Sequence, residues 1–84
     1  MYNKRTWLNK PNSPSTGNVV AFDGEITSEK EETYRSTFLS VSDCYNSARL
    51  HKSDYDSMED FINKMKTLRD EINSFIVYLE TTEK

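Results

Sequence analysis

One cysteine and one histidine occur in the 84-residue chain: Cys44 and His51, within STFLSVSDCYNSARLHK, residues 36–52. A thiol and an imidazole are the parts of a nucleophile–base pair, which needs hydrogen-bond reach of about 3 Å. If the segment is a β-hairpin, Cys44 sits in the turn and His51 lies about 20 Å away along a strand. If it is a helix, the two lie two turns apart, roughly 10 Å. Neither local geometry forms a dyad, so the two residues read as unrelated.

Other catalytic patterns are equally thin. Gly17 and Gly24 stand alone, so there is no glycine-rich phosphate loop, and neither GxSxG nor HExxH occurs. DYDSMED, residues 54–60, alternates acids as a calcium loop does, but lacks the bend glycine and a closing glutamate at the required position. Its acids suit the start of a helix, where the dipole favours anions. The expectation is a protein that is no enzyme and has no metal or cofactor.

Composition narrows the class. A chain of 84 residues is one domain at most, with marginal stability on its own. A single cysteine forms no internal disulfide, and one Cys with one His falls short of a structural zinc site. Association with another copy is the remaining support, so a homo-oligomer is expected. No apolar run reaches membrane-span length and residues 1–15 lack a signal-peptide core, so the chain reads as soluble and cytoplasmic, with no membrane partner. A net charge of −3 argues against wholesale phosphate binding but allows a local basic patch.

The elements follow from pattern. Residues 1–18 hold both prolines, Pro11 and Pro14 in a PxxP spacing, and read as an arm, extended or partly disordered and pinned by Trp7. Residues 19–84 form a single small α+β domain. VVAFDGEIT, 19–27, alternates with period two and is a half-buried strand with Val20, Phe22 and Ile26 on one face. Residues 33–52 fit two readings. Tyr34, Phe38, Val41, Tyr45 and Ala48 recur at helical spacing, which gives a helical hairpin as the alternative. Five Ser or Thr in TYRSTFLSVS, with Asp43 and Asn46 at the midpoint, favour a β-hairpin. The register pairs Leu39 with Leu50 and Val41 with Ala48. The expected architecture is a three-stranded antiparallel meander packed on one long C-terminal helix.

That helix covers residues 57–80, with Ser57 as N-cap. Met58, Phe61, Met65, Leu68, Ile72, Phe75 and Leu79 repeat at spacings of three and four. At about 1.5 Å per residue it spans roughly 36 Å, longer than a nine-residue strand of about 30 Å. An overhanging apolar end needs cover, which makes Ile62, Phe75, Ile76, Tyr78 and Leu79 candidates for an oligomer interface.

The hairpin register leaves Tyr34, Phe38, Ser40, Arg49 and His51 on the outer face. With Lys4, Arg5 and Trp7 from the arm, these are the candidate ligand- or partner-binding residues, because aromatic planes stack bases and Arg holds phosphates. Burial of that face under the arm, or against another sheet, is the competing reading.

The order of elements across residues 19–80 is similar to that of the PC4-like single-stranded DNA-binding proteins. That resemblance implies a curved antiparallel sheet, a dimerising C-terminal helix, and basic and aromatic residues on the sheet; a sequence pI near 5.1 departs from it. In size, acidity and polar richness the chain also resembles small acidic accessory and anti-defence proteins of bacteriophages. This implies stoichiometric inhibition of a host factor through protein–protein interaction. The expected function is therefore a non-catalytic, self-associating binding protein, with a single-stranded nucleic-acid or nucleotide-binding module as the alternative.

Overall fold

The computed structural model describes residues 1–14 and 16–82; position 15 of the expected arm and the last two residues of the expected domain lie outside them. The chain is α+β: strands β1 (Tyr2–Trp7), β2 (Asn18–Thr27), β3 (Thr33–Asp43) and β4 (Asn46–His51) precede helix α1 (Met58–Thr82). Two compact units divide it, Met1–Lys52 and Ser53–Lys84.

The first unit is an antiparallel meander in which each strand pairs with its sequence neighbour, in the order β1-β2-β3-β4. Four strands replace the expected three, because YNKRTW pairs with β2 from Tyr2 opposite Asp23 to Trp7 opposite Asn18. The loop that follows is closed at its ends. Leu8 N–H donates to the Gly17 carbonyl at 2.8 Å, and Gly17 N–H donates to Asn9 Oδ1 at 2.6 Å. Gly17 is buried, and a Cβ there would come within 2.9 Å of Asn9 Oδ1, so a larger residue would push the Asn9 side chain out of that hydrogen bond.

The hairpin of residues 33–52 is extended on both sides of its turn, which excludes the helical alternative. Its register pairs Phe38 with His51, Leu39 with Leu50 and Val41 with Ala48, as the alternation dictates. Lys52 N–H adds a bond of 2.8 Å to the Thr37 carbonyl. Cys44 and Tyr45 form the two-residue turn, with Cys44 at φ 35°. Hairpin turns of the primed types require such a positive φ, because their twist matches that of the strands.

In the second unit, α1 runs for 25 residues. Ser57 caps it reciprocally: Asp60 N–H donates to Ser57 Oγ at 3.1 Å, and Ser57 N–H donates to Asp60 Oδ2 at 3.0 Å. This is a capping box with Asp in the place of the usual Glu. Lys64 Nζ lies 3.9 Å from Asp56, supporting the same end. At the other end Thr81 and Thr82 hydroxyls donate to the carbonyls of Tyr78 and Leu79, where the last turn has no basic side chain.

β3, at 11 residues, spans about 36 Å at strand rise. The helix is about 37 Å long. Burial is sparse throughout. Phe61, 6% exposed, is the one buried apolar side chain among the described residues.

Candidate functional site

Period-two alternation sends successive side chains to opposite faces, and directly opposed residues share a face. The registers therefore sort the sheet completely. One rung runs Arg5–Val20–Ser40–Arg49 across all four strands, and the next runs Asn3–Phe22–Phe38–His51. Trp7, opposite Asn18, and Tyr34, opposite Ile26, lie on the same face. Six of the seven candidate binding residues are thus brought together, drawn from β1, β3 and β4.

Lys4 is the exception. It pairs with Ala21 and falls on the other face with Leu39, Val41, Ala48 and Leu50. Its neighbour Arg5 cannot share its side, because adjacent strand residues never do.

Contacts tie the face together. The rings of Phe22 and Phe38 stack with centroids 5.3 Å apart and planes 18° apart. The Arg49 guanidinium lies 4.1 Å from the Phe38 centroid, and that of Arg5 lies 5.9 Å from Trp7. Both are cation–π arrangements, in which the ring quadrupole attracts the charge. Trp7 is 61% exposed, and Tyr34, Arg49 and His51 are exposed as well. Phe22 is the member that sequence reasoning missed. Alternation alone makes it a half-buried strand residue, and residues 28–32, SEKEE, carry no signal for the register of β2 against β3.

Charge is segregated between the faces. The strand acids Asp23, Glu25 and Asp43 all fall on the side of Leu39, so no strand carboxylate lies on the aromatic face. On the opposite side Arg35 Nε and Nη2 donate to Asp23 at 2.8 and 2.9 Å, and the Thr37 hydroxyl donates at 2.7 Å. The hydrogen bonds from Arg35, then that from Thr37, hold the Asp23 carboxyl well below the usual carboxylate range. Arg35 is thereby occupied, whereas Arg5 and Arg49 lie against rings.

Beside Trp7 the 8–17 loop forms an open pocket of about 330 Å³, lined also by Asn9, Lys10, Pro11, Ser13 and Thr16. Its size is at the lower end for small-molecule sites. Cys44 stands exposed in the hairpin turn, while His51 ends β4 opposite Phe38, so the sheet does not unite them.

The candidate interface residues on α1 are all exposed, from 41% at Leu79 to 61% at Tyr78, with Ile62, Phe75 and Ile76 between. Ile72 and Val77 join them. Residues 72, 75, 76 and 79 form one stripe at helical spacing, and 77 and 78 extend it around the helix. No helix among the described residues is long and apolar enough to cross a membrane.

Comparison with protein-family models, curated proteins and solved structures matches this chain to none of them.

Proposed function

We propose that the chain is a non-catalytic, self-associating binding protein of the cytoplasm that acts by occupying a partner, in the manner of a stoichiometric inhibitor of a host factor. The observation that carries this reading is the helix end at residues 72–79, which is apolar around most of its girth and exposed. A helix apolar on nearly all sides is a buried helix in its working state. With one buried apolar side chain among its described residues, the chain has little to hold it together alone, and a second copy supplies the missing apolar cover.

Light scattering tests this. The native chain is expected at twice its monomer mass or more at micromolar concentration, and Ile76→Asp is expected to be a folded monomer. A native monomer at high concentration contradicts the proposal.

A second reading concerns the other side of the sheet. Two arginines against aromatic rings, on a face without strand carboxylates, favour a planar anionic ligand there, a single-stranded nucleic acid or a nucleotide. Both readings are compatible in one molecule, since helix and sheet face supply different surfaces.

A further inference from the structure

We propose that the face of the sheet without strand carboxylates is a track for single-stranded nucleic acid, with bases on Trp7 and the Phe22–Phe38 pair and phosphates at Arg5 and Arg49. This deepens the second reading above, and rests on it, by choosing an extended strand over a lone nucleotide.

The geometry favours a polymer. Arg5 and Arg49 end the same rung on the two outer strands, three strand spacings or about 14 Å apart. A lone nucleotide has no second phosphate to place at that distance. The aromatic groups are also distributed. Along the strand direction Tyr34, the Phe22–Phe38 stack and Trp7 occupy successive levels four residues apart, about 13 Å each. They step from β3 to β2 to β1, a diagonal across the sheet. The open pocket lies at the Trp7 end of that diagonal, where Lys10 and Asn9 add a cation and an amide beside the indole.

Chemistry favours single strands over duplex. Aromatic planes stack on exposed base faces, which a duplex keeps within its own stack. A guanidinium whose carbon lies 4.1 Å from the Phe38 centroid still has edge donors to offer a phosphate. The net charge of −3 is no obstacle at this face, because the strand acids lie on the opposite side. It does keep the affinity modest, since few cations are in play, and binding in the micromolar range is expected.

Fluorescence anisotropy with a short labelled oligothymidylate and the matching oligouridylate tests the proposal, and the preferred strand identifies DNA or RNA as the source. Binding is expected to weaken with salt at a slope of about −0.7 per phosphate neutralised, or roughly −1.4 for two. Trp7→Ala is expected to weaken binding about 5- to 150-fold, with Trp7→Phe restoring most of it. Arg49→Gln is expected to lower the slope by about 0.7, and Lys4→Gln, on the opposite face, to leave it unchanged. Circular dichroism checks that each variant is folded.

Absence of binding to either strand at low salt overturns both the track and the second reading, as does affinity untouched by Trp7→Ala. Duplex bound as tightly as single strand overturns the track. So does poly-glutamate bound as tightly, which assigns the face to an acidic protein. A mononucleotide bound as tightly as the oligomer overturns the track while leaving the planar-anion reading intact.

Discussion

The guanidinium of Arg49 lies over the ring of Phe38, 4.1 Å from its centroid, with Arg49 on an edge strand and Phe38 on the strand beside it. Phe38 stacks in turn on Phe22, so cation and rings form one continuous layer across three strands. Removing the central ring should disturb both neighbours. Phe38→Ala is expected to cost about 3 kcal/mol or less, since the ring is only half-buried, and to weaken any ligand of this face at the same time. Chemical denaturation gives the first value and a binding titration the second.

The helix divides into two kinds of position. Phe61→Ala empties a buried site and is expected to cost about 3–5 kcal/mol, enough to unfold much of a small domain. Leu79→Asp, at an exposed site, is expected to leave the fold intact and abolish self-association. Far-ultraviolet circular dichroism and light scattering on the two variants separate these outcomes. Ile72, which shares the three-and-four repeat with Phe61, is exposed and belongs with Leu79.

Acid should weaken the sheet through Asp23. Its folded-state pKa lies below the unfolded value of about 3.9, so its contribution is complete above that value and is lost as pH falls through the folded pKa. Asp23→Asn is expected to flatten this acid limb while leaving the pH dependence near neutrality unchanged. Urea midpoints measured from neutrality down into strong acid, below the unfolded carboxylate value, check it. A variant whose acid limb matches the parent's would remove the Arg35–Asp23–Thr37 cluster from the account.

Among the described residues two turns hold non-glycine residues at positive φ, Cys44 at 35° and Glu31 at 61°. L-residues pay a steric penalty there that glycine avoids. Cys44→Gly and Glu31→Gly are each expected to stabilise by about 0.5–1 kcal/mol, raising the melting temperature by about 2–8 °C. Thermal unfolding of the single variants measures it.

Ser57→Ala removes the hydroxyl that accepts from Asp60 N–H and is expected to cost about 1 kcal/mol.

Much of this fold could be read from residues alone. Alternation through Leu39 and Val41, the turn formers Asp43 and Asn46, and the return through Ala48 and Leu50 leave one register that keeps the apolar side together. The cap at Ser57 and the heptad-like spacing from Met58 to Leu79 fix α1 in the same way. β1 was not legible, because YNKRTW has no alternating apolar set and every residue in it is exposed. It is a strand through its pairing with β2, a non-local cause that leaves no local pattern. Lys4 was grouped with Arg5 by proximity, which strand geometry overrules. The role of Phe22 depended on how the Ser28–Glu32 turn aligns β2 with β3. That turn is set by Ser28 N–H donating to the Glu32 carbonyl at 2.8 Å and by Glu31 at positive φ, neither of which glutamate-rich sequence announces.

Side-chain NMR reports most directly on whether one face of the sheet is the working surface. On addition of oligothymidylate, the Trp7 indole N–H and the Nε–H signals of Arg5 and Arg49 are expected to shift together, while the Nε–H of Arg35, across the sheet, stays in place. Movement of Arg35 with Trp7 unmoved, or no movement at all, would contradict it.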